Sequence, residues 1–330
     1  IDSPGGKLET RDLEFNNGAV LEKAGVLVGF HTDDSITDSR LFLRSAAFGV
    51  RAGMTRAGAL VLALAAAAPR LGAQDWRTLD AFQQLHGADP LTVRVEYGAG
   101  RIDLAPTRDA VLYRMRLRYD AERSSPVASY DSTARRLALG TRGTSGPWSS
   151  QHRDGSTLSA ALTTGAPMRL TVALGAAEGT IELGGLRLSG FTMAAVATDL
   201  RLSVAEPNPE ALADARLDIG AAKVRAAHFG NLRARHLDVS LGVGALDLDL
   251  EGAWDGDMEL SASVALGSMT VRLPADVGVR VRSNAFLMDL RKAGLENRGD
   301  VWVSRDEESA RRHVTIRLNG ALGDFEIVRR

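Results

Sequence analysis

One device recurs along this chain: a few residues of apolar–polar alternation, a corner of Gly and Ala, then alternation again. It reads LTVRVEYGAGRIDLAP over 91–106, LTVALGAAEGTIELGGL over 170–186, LDIGAAKVRAAHFGNL over 217–232, LDVSLGVGALDLDLEG over 237–252 and LSASVALGSMTVRLPA over 260–275. A looser copy, VTIRLNGALGDFEI, spans 314–327. Period two puts successive side chains on opposite faces of a strand. Start-to-start spacings of roughly 20 residues are those of one coil of a solenoid. The repeat therefore predicts a mostly β chain: a single-stranded β-helix in which each coil is strand, corner, strand.

The alternation also assigns the faces. Leu246, Leu248 and Leu250 point inward, and Asp247, Asp249 and Glu251 form one acidic outer face. A slip of one residue would bury three carboxylates, so the register is strongly specified. Glycine at the corners lets the backbone bend and lets coils stack closely. The 34 glycines and 5% aromatic content fit such thin, regular coils better than a large enzyme core. Net charge is −1 and there is no basic stripe, so nucleic acid is not an expected partner. With no cysteine, disulfides, thiolate metal sites and cysteine nucleophiles are excluded.

Residues 91–330 resemble the toast-rack putative adhesin family, a group of bacterial envelope β-solenoids. They are also similar to the C-terminal domains of some envelope-stress regulators. The closest segments are LTVRVEYGAGRIDL, DLEGAWDGD (249–257) and LGSMTVRLPADVGVRV (266–281). The resemblance implies a fold without catalytic residues, no cofactor, and an envelope or surface partner. Two stretches depart from the repeat. Residues 123–167 are rich in Ser, Thr, Gly and Arg, with a short strand at Arg136 to Leu139, and read as a long hairpin or loop. Residues 75–90 read as a linker containing a short helix and turn.

Upstream, residues 54–74 (MTRAGALVLALAAAAPRLGAQ) show the order of an export signal: a short basic start, an apolar run from Ala57 to Ala68, then small residues toward Ala73. The run is shorter than the ~20 apolar residues of a membrane span. As an Ala/Leu-rich segment it also suits a buried helix. Taken as a signal, it sends residues 75–330 to the periplasm or cell surface. If the fusion with residues 1–53 is real, the chain is cytoplasmic.

Residues 1–53 have a different grammar. A helical pattern over Asp12 to Ala24 is followed by the apolar strand Val26 to Phe30, the polar run HTDD, and an amphipathic helix from Arg40 to Ala52. Helix, buried strand, polar loop, helix is the unit of a (β/α)8 barrel. VLEKAGVLVGFHTDDSITDSRLFLRSAAFGVRAGM resembles the last barrel unit of the metal-dependent amidohydrolase superfamily. That resemblance implies a metal-binding and catalytic carboxylate at Asp33, with His31 and Asp34 beside it as groups that orient it. Zinc or another divalent metal would activate water there. The family's H-x-H pair and bridging lysine are absent, so the site is incomplete and the segment reads as a fragment.

Other candidates reduce to structure. Gly98 with Gly100, and Gly242 with Gly244, lack the third glycine and following helix of a dinucleotide loop, Asp103 and Asp247 standing in its place, and read as corners. GTSGP (143–147) is no nucleophile elbow, because Pro147 takes the second glycine's place. His228 and His236 fall on one kind of face without a third ligand. The stripe Asp247, Asp249, Glu251, Asp255 and Asp257 lacks the spacing of a calcium-binding repeat and reads as a solvated face. Arg329 and Arg330 are expected at an open end, where charge discourages edge-to-edge stacking. The function expected is a non-enzymatic, exported interaction module. The alternatives are an amidohydrolase of which 1–53 is the end, and an envelope-stress sensing module.

Overall fold

A computed structural model of the chain describes residues 75–143, 155–285, 288–291 and 294–330. The barrel-like unit of 1–53, the apolar segment 54–74 and residues 144–147 of GTSGP lie outside the described residues. Gln74–Arg330 forms one compact unit.

The repeat folds as strands of a 17-stranded sheet. These are β1 (Trp76–Gln84), β2 (Leu91–Thr107), β3 (Val111–Asp120), β4 (Ser124–Asp131), β5 (Arg136–Gly143), β6 (Thr157–Thr163), β7 (Pro167–Glu182), β8 (Arg187–Ala195) and β9 (Asp199–Ser203). They continue as β10 (Leu212–Ala227), β11 (Ala234–Asp249), β12 (Met258–Leu273), β13 (Gly278–Ala285), β14 (Met288–Arg291), β15 (Leu295–Arg298), β16 (Val301–Ser304) and β17 (His313–Arg329). The long strands β2, β7, β10, β11, β12 and β17 are the six copies of the repeat, each turning at its glycine corner into a first and a second arm.

Both arms pair in parallel with the next copy. On the first arm Leu170 meets Phe191, Phe191 meets Ala215, Ala215 meets Leu237, Leu237 meets Leu260 and Leu260 meets Ile316. The chain thus returns to one point after 21 to 24 residues, and once after 56. On the second arm Ile181, Leu202, Ala226, Leu248, Val271 and Ile327 form the matching column. Every member of both columns is buried. With parallel strands ~4.8 Å apart, each apolar side chain covers the one before it, so the core is a continuous stack.

Two rungs escaped the sequence reading because they have no glycine corner. β8 and β9 form one, with Val196–Thr198 as the corner, and β13 and β14 form another. The C-terminal strand has an unexpected place. β17 lies between β12 and the pair β13 and β14, not at an end. Arg329 and Arg330 therefore do not guard an open edge. Arg329 Nη2 donates to Ala275 O at 2.5 Å, Val277 O at 3.1 Å and Asp306 Oδ2 at 2.6 Å, tying the strand end to two loops.

The two ends of the ladder are covered. At one, β5 continues the first arm of β2 in parallel and β6 the second, with β4 hairpinned on β5 and β3 antiparallel on β6. At the other, β16 pairs antiparallel with β13, and β15 with β16. Within 123–167 the described residues give a β4–β5 hairpin, one of the two forms expected, and β6. Residues 75–90, expected to contain a short helix, instead give β1, antiparallel to β3 from Trp76↔Asp120 to Gln84↔Val111. A helix so short has little stability of its own, whereas pairing with β3 satisfies the backbone and seats Leu79 and Ala81 on the core.

Candidate functional site

The corners explain what the glycines do. Gly244, Gly267 and Gly323 are in register on β11, β12 and β17, with φ of 128°, 153° and 136°. A Cβ on Gly323 would lie 1.8 Å from Gly267 O, and one on Gly267 2.2 Å from Gly244 O. Only a residue without a side chain fits the column. Gly98, Gly100, Gly242 and Gly244 are therefore corners, not phosphate loops.

The outward residues are largely neutralised across rungs. Arg101 pairs with Glu178 at 2.9 Å, Arg272 with Asp247 at 2.6 Å and Arg216 with Asp238 at 3.4 Å. The expected acidic stripe is accordingly not a bare face. Asp249 and Glu251 receive Arg330, which lies 3.8 and 3.2 Å from them. The fold also brings His228 to these two carboxylates, with possible ligand atoms within 4.8 Å of one another. His236 is not part of that group and faces Asp214 at 3.3 Å. The two carboxylates hold the Arg330 cation, which a metal would have to displace. Sequence reading missed His228 as their neighbour because His228 takes a left-handed backbone (φ 56°) ahead of a 3₁₀ turn at Phe229–Leu232.

A cleft of about 610 Å³ opens where the first arms of β11, β12 and β17 begin. Its wall is built by the loop after β11. Trp254 is buried and donates its indole N–H to Leu250 O at 2.7 Å. Asn231 accepts from Ala253 N at 2.8 Å and donates to Val204 O, so one amide links three rungs. One rung earlier, Asn208 accepts from Leu188 N and donates to Leu188 O and to Glu210 O in its own loop. Gly230 passes so close to Leu250 O and Trp254 that a Cβ would lie 2.4 Å from the former.

Charges in the cleft are mostly engaged. Arg233 pairs with Asp255, Arg317 with Glu259, and Asp257 with His313 at 3.2 Å. The His313 pKa is held above its ordinary value, chiefly by its hydrogen bond to the Glu307 carbonyl and then by Asp257. Arg235 is exposed and, among the described residues, carries no ion pair. The cleft thus offers a free guanidinium beside an aromatic wall, which suits recognition of an anionic group. Among the described residues it holds no nucleophile hydrogen-bonded to a base. Asp33, His31 and Asp34 lie outside the described residues.

The fold and cleft define a class: a parallel, glycine-cornered β ladder with a polar cleft. Residues 74–227 match the family model of the N-terminal domain of toast_rack (DUF2154). No curated protein matches the chain. Among solved structures, the chain is similar to a putative cell adhesion protein from Clostridium sporogenes ATCC 15579, at 12% identity, covering 77% of this chain and 100% of that one, with a TM-score of 0.41. It is likewise similar to a putative adhesin from Bacteroides fragilis NCTC 9343, at 11% identity, covering 77% and 98%, with the same TM-score. No helix among the described residues is long and apolar enough to cross a membrane.

Proposed function

We propose that residues 75–330 are a non-enzymatic toast-rack β-solenoid of the bacterial cell envelope, an adhesin-like module that binds through its outer surface. The observation that carries this is the toast_rack domain match over 74–227, which covers the first rungs of a ladder whose same register continues to β17. The binding element is the cleft, with Arg235 as the contact to an anionic group and Trp254 as its wall. No cofactor enters this reading. Export rests on the signal-like order of 54–74, and the resemblance of 1–53 to an amidohydrolase unit stands as a proposal of descent.

The test is fractionation of a bacterial host producing the chain from its native upstream DNA, with intact mass measurement of the product. A species beginning near Gln74 in the periplasmic or surface fraction supports the reading, and a full-length cytosolic species overturns its export. For binding, purified chain is incubated with isolated envelopes. Retention that falls with salt, and several-fold further in Arg235→Ala, is the expected result.

A further inference from the structure

Five large apolar side chains stand exposed among the described residues; three of them share one line, and Val196 stands beside it at the next corner. Val196, Val243, Leu266 and Leu322 are 64%, 50%, 45% and 46% exposed. Val243 is in register with Leu266, and Leu266 with Leu322. Ala221 precedes Val243 in the same line, and its N–H donates to Val196 O. The corners thus carry an outward apolar stripe down the ladder. Its flanks on β11 and β12 carry no charge: Ser240 and Ser263 on one side, Ala245 and Ser268 on the other. Charge returns on the second-arm side one rung further out, as Lys223 on β10 and Asp324 on β17. Both are exposed, and neither has an ion pair among the described residues.

We propose that this stripe is a self-association surface, on which a second copy of the chain docks antiparallel about a two-fold axis passing between β11 and β12. This goes beyond the envelope reading and does not depend on it. A two-fold contact is isologous, so each residue meets the one equally far beyond the axis. Val243 then meets the partner copy's Leu266 position, and Ala221 the partner copy's Leu322 position. Small faces large in the outer pair, and two mid-sized side chains meet at the centre. The same operation places Lys223 of each copy over the Asp324 position of the other. On the first-arm side Asp218 comes over the position of Asn319. This charge match points to a second copy as the occupant. A parallel arrangement would instead place Lys223 over the position of Asp218 and Asp324 over that of Asn319, so exchanging the Lys223 and Asp324 charges separates the two arrangements.

The stripe is small. From Ala221 to Leu322 it spans three strand spacings, about 14 Å, which gives less than the ~800 Å² per partner of a standard interface. The dimer is accordingly weak in solution, with a dissociation constant on the order of 10–100 μM.

Sedimentation velocity of the full chain across a concentration series tests this. The wild type should show a monomer–dimer equilibrium that Leu266→Asp weakens at least about tenfold, with an unchanged circular dichroism spectrum because the side chain is exposed. Lys223→Asp and Asp324→Lys should each weaken it about three- to tenfold, and the double variant should recover to within about twofold of wild type. Since the chain has no cysteine, a mixture of singly substituted Val243→Cys and Leu266→Cys chains should oxidise to a covalent heterodimer. A wild-type chain that is monomeric at every concentration overturns the proposal. So does a double charge variant no better than the singles.

Discussion

At single residues, the corner column tolerates no Cβ at Gly244, Gly267 or Gly323. Gly323 has φ 136° and lies under the Gly267 carbonyl, so Gly323→Ala combines a disfavoured backbone with a direct clash. It should lower stability by about 3 kcal/mol or more, read from the urea midpoint, whereas Gly256→Ala, with open space around its Cβ, should change it by less than about 1 kcal/mol. Leu248, fully buried between Ala226 and Val271, should cost about 2–5 kcal/mol as Leu248→Ala. His313 gives a pH dependence of known sign. Its pKa is raised in the folded chain, so its contribution is complete below the unfolded value of about 6.5 and is lost as pH rises through the folded value. The difference in melting temperature between wild type and His313→Gln should therefore be larger at pH 5.5 than at pH 8, as checked by thermal melts at pH values of about 5.5 and 8.

At the level of elements, β17 is the keystone of the C-terminal half. It is the only strand bridging β12 to β13 and β14 among the described residues, and Arg329 fastens its end to the 275–277 turn and to Asp306. Arg329 also holds the Asp306 carboxyl below its usual range. Removing residues 313–330 should expose two unpaired strand edges and give aggregation or loss of cooperative melting. Arg329→Ala should keep the fold but speed hydrogen exchange in 274–278 and 304–310. The looser copy of the repeat at 314–327 marked β17 as a strand, but alternation cannot say which neighbours a strand takes. The same limit applies to β1. WRTLDAFQQ is too polar and too short to declare itself, and it became a strand only because the edge of β3 was there to receive it.

Over the whole unit, each rung touches chiefly its neighbours, and both ends are covered by antiparallel strands. Stability is then close to a sum over rungs and their interfaces. Residues 75–330 should unfold cooperatively without 1–74, and loss of a sharp transition on that deletion would contradict this. The sequence by itself determined the six repeat strands, their inward and outward faces and their glycine corners, because these follow from period two and from where glycine sits. Leu248 is inward and Gly244 a corner by position alone. Only the tertiary structure decided which strands adjoin, because parallel pairing joins residues 20 to 77 apart and many registers satisfy the same pattern. It also decided the cleft at Arg235, the meeting of His228 with Asp249 and Glu251, and the line of Val243, Leu266 and Leu322 with Val196 beside it, since these arise only when rungs stack and unrelated loops are brought side by side.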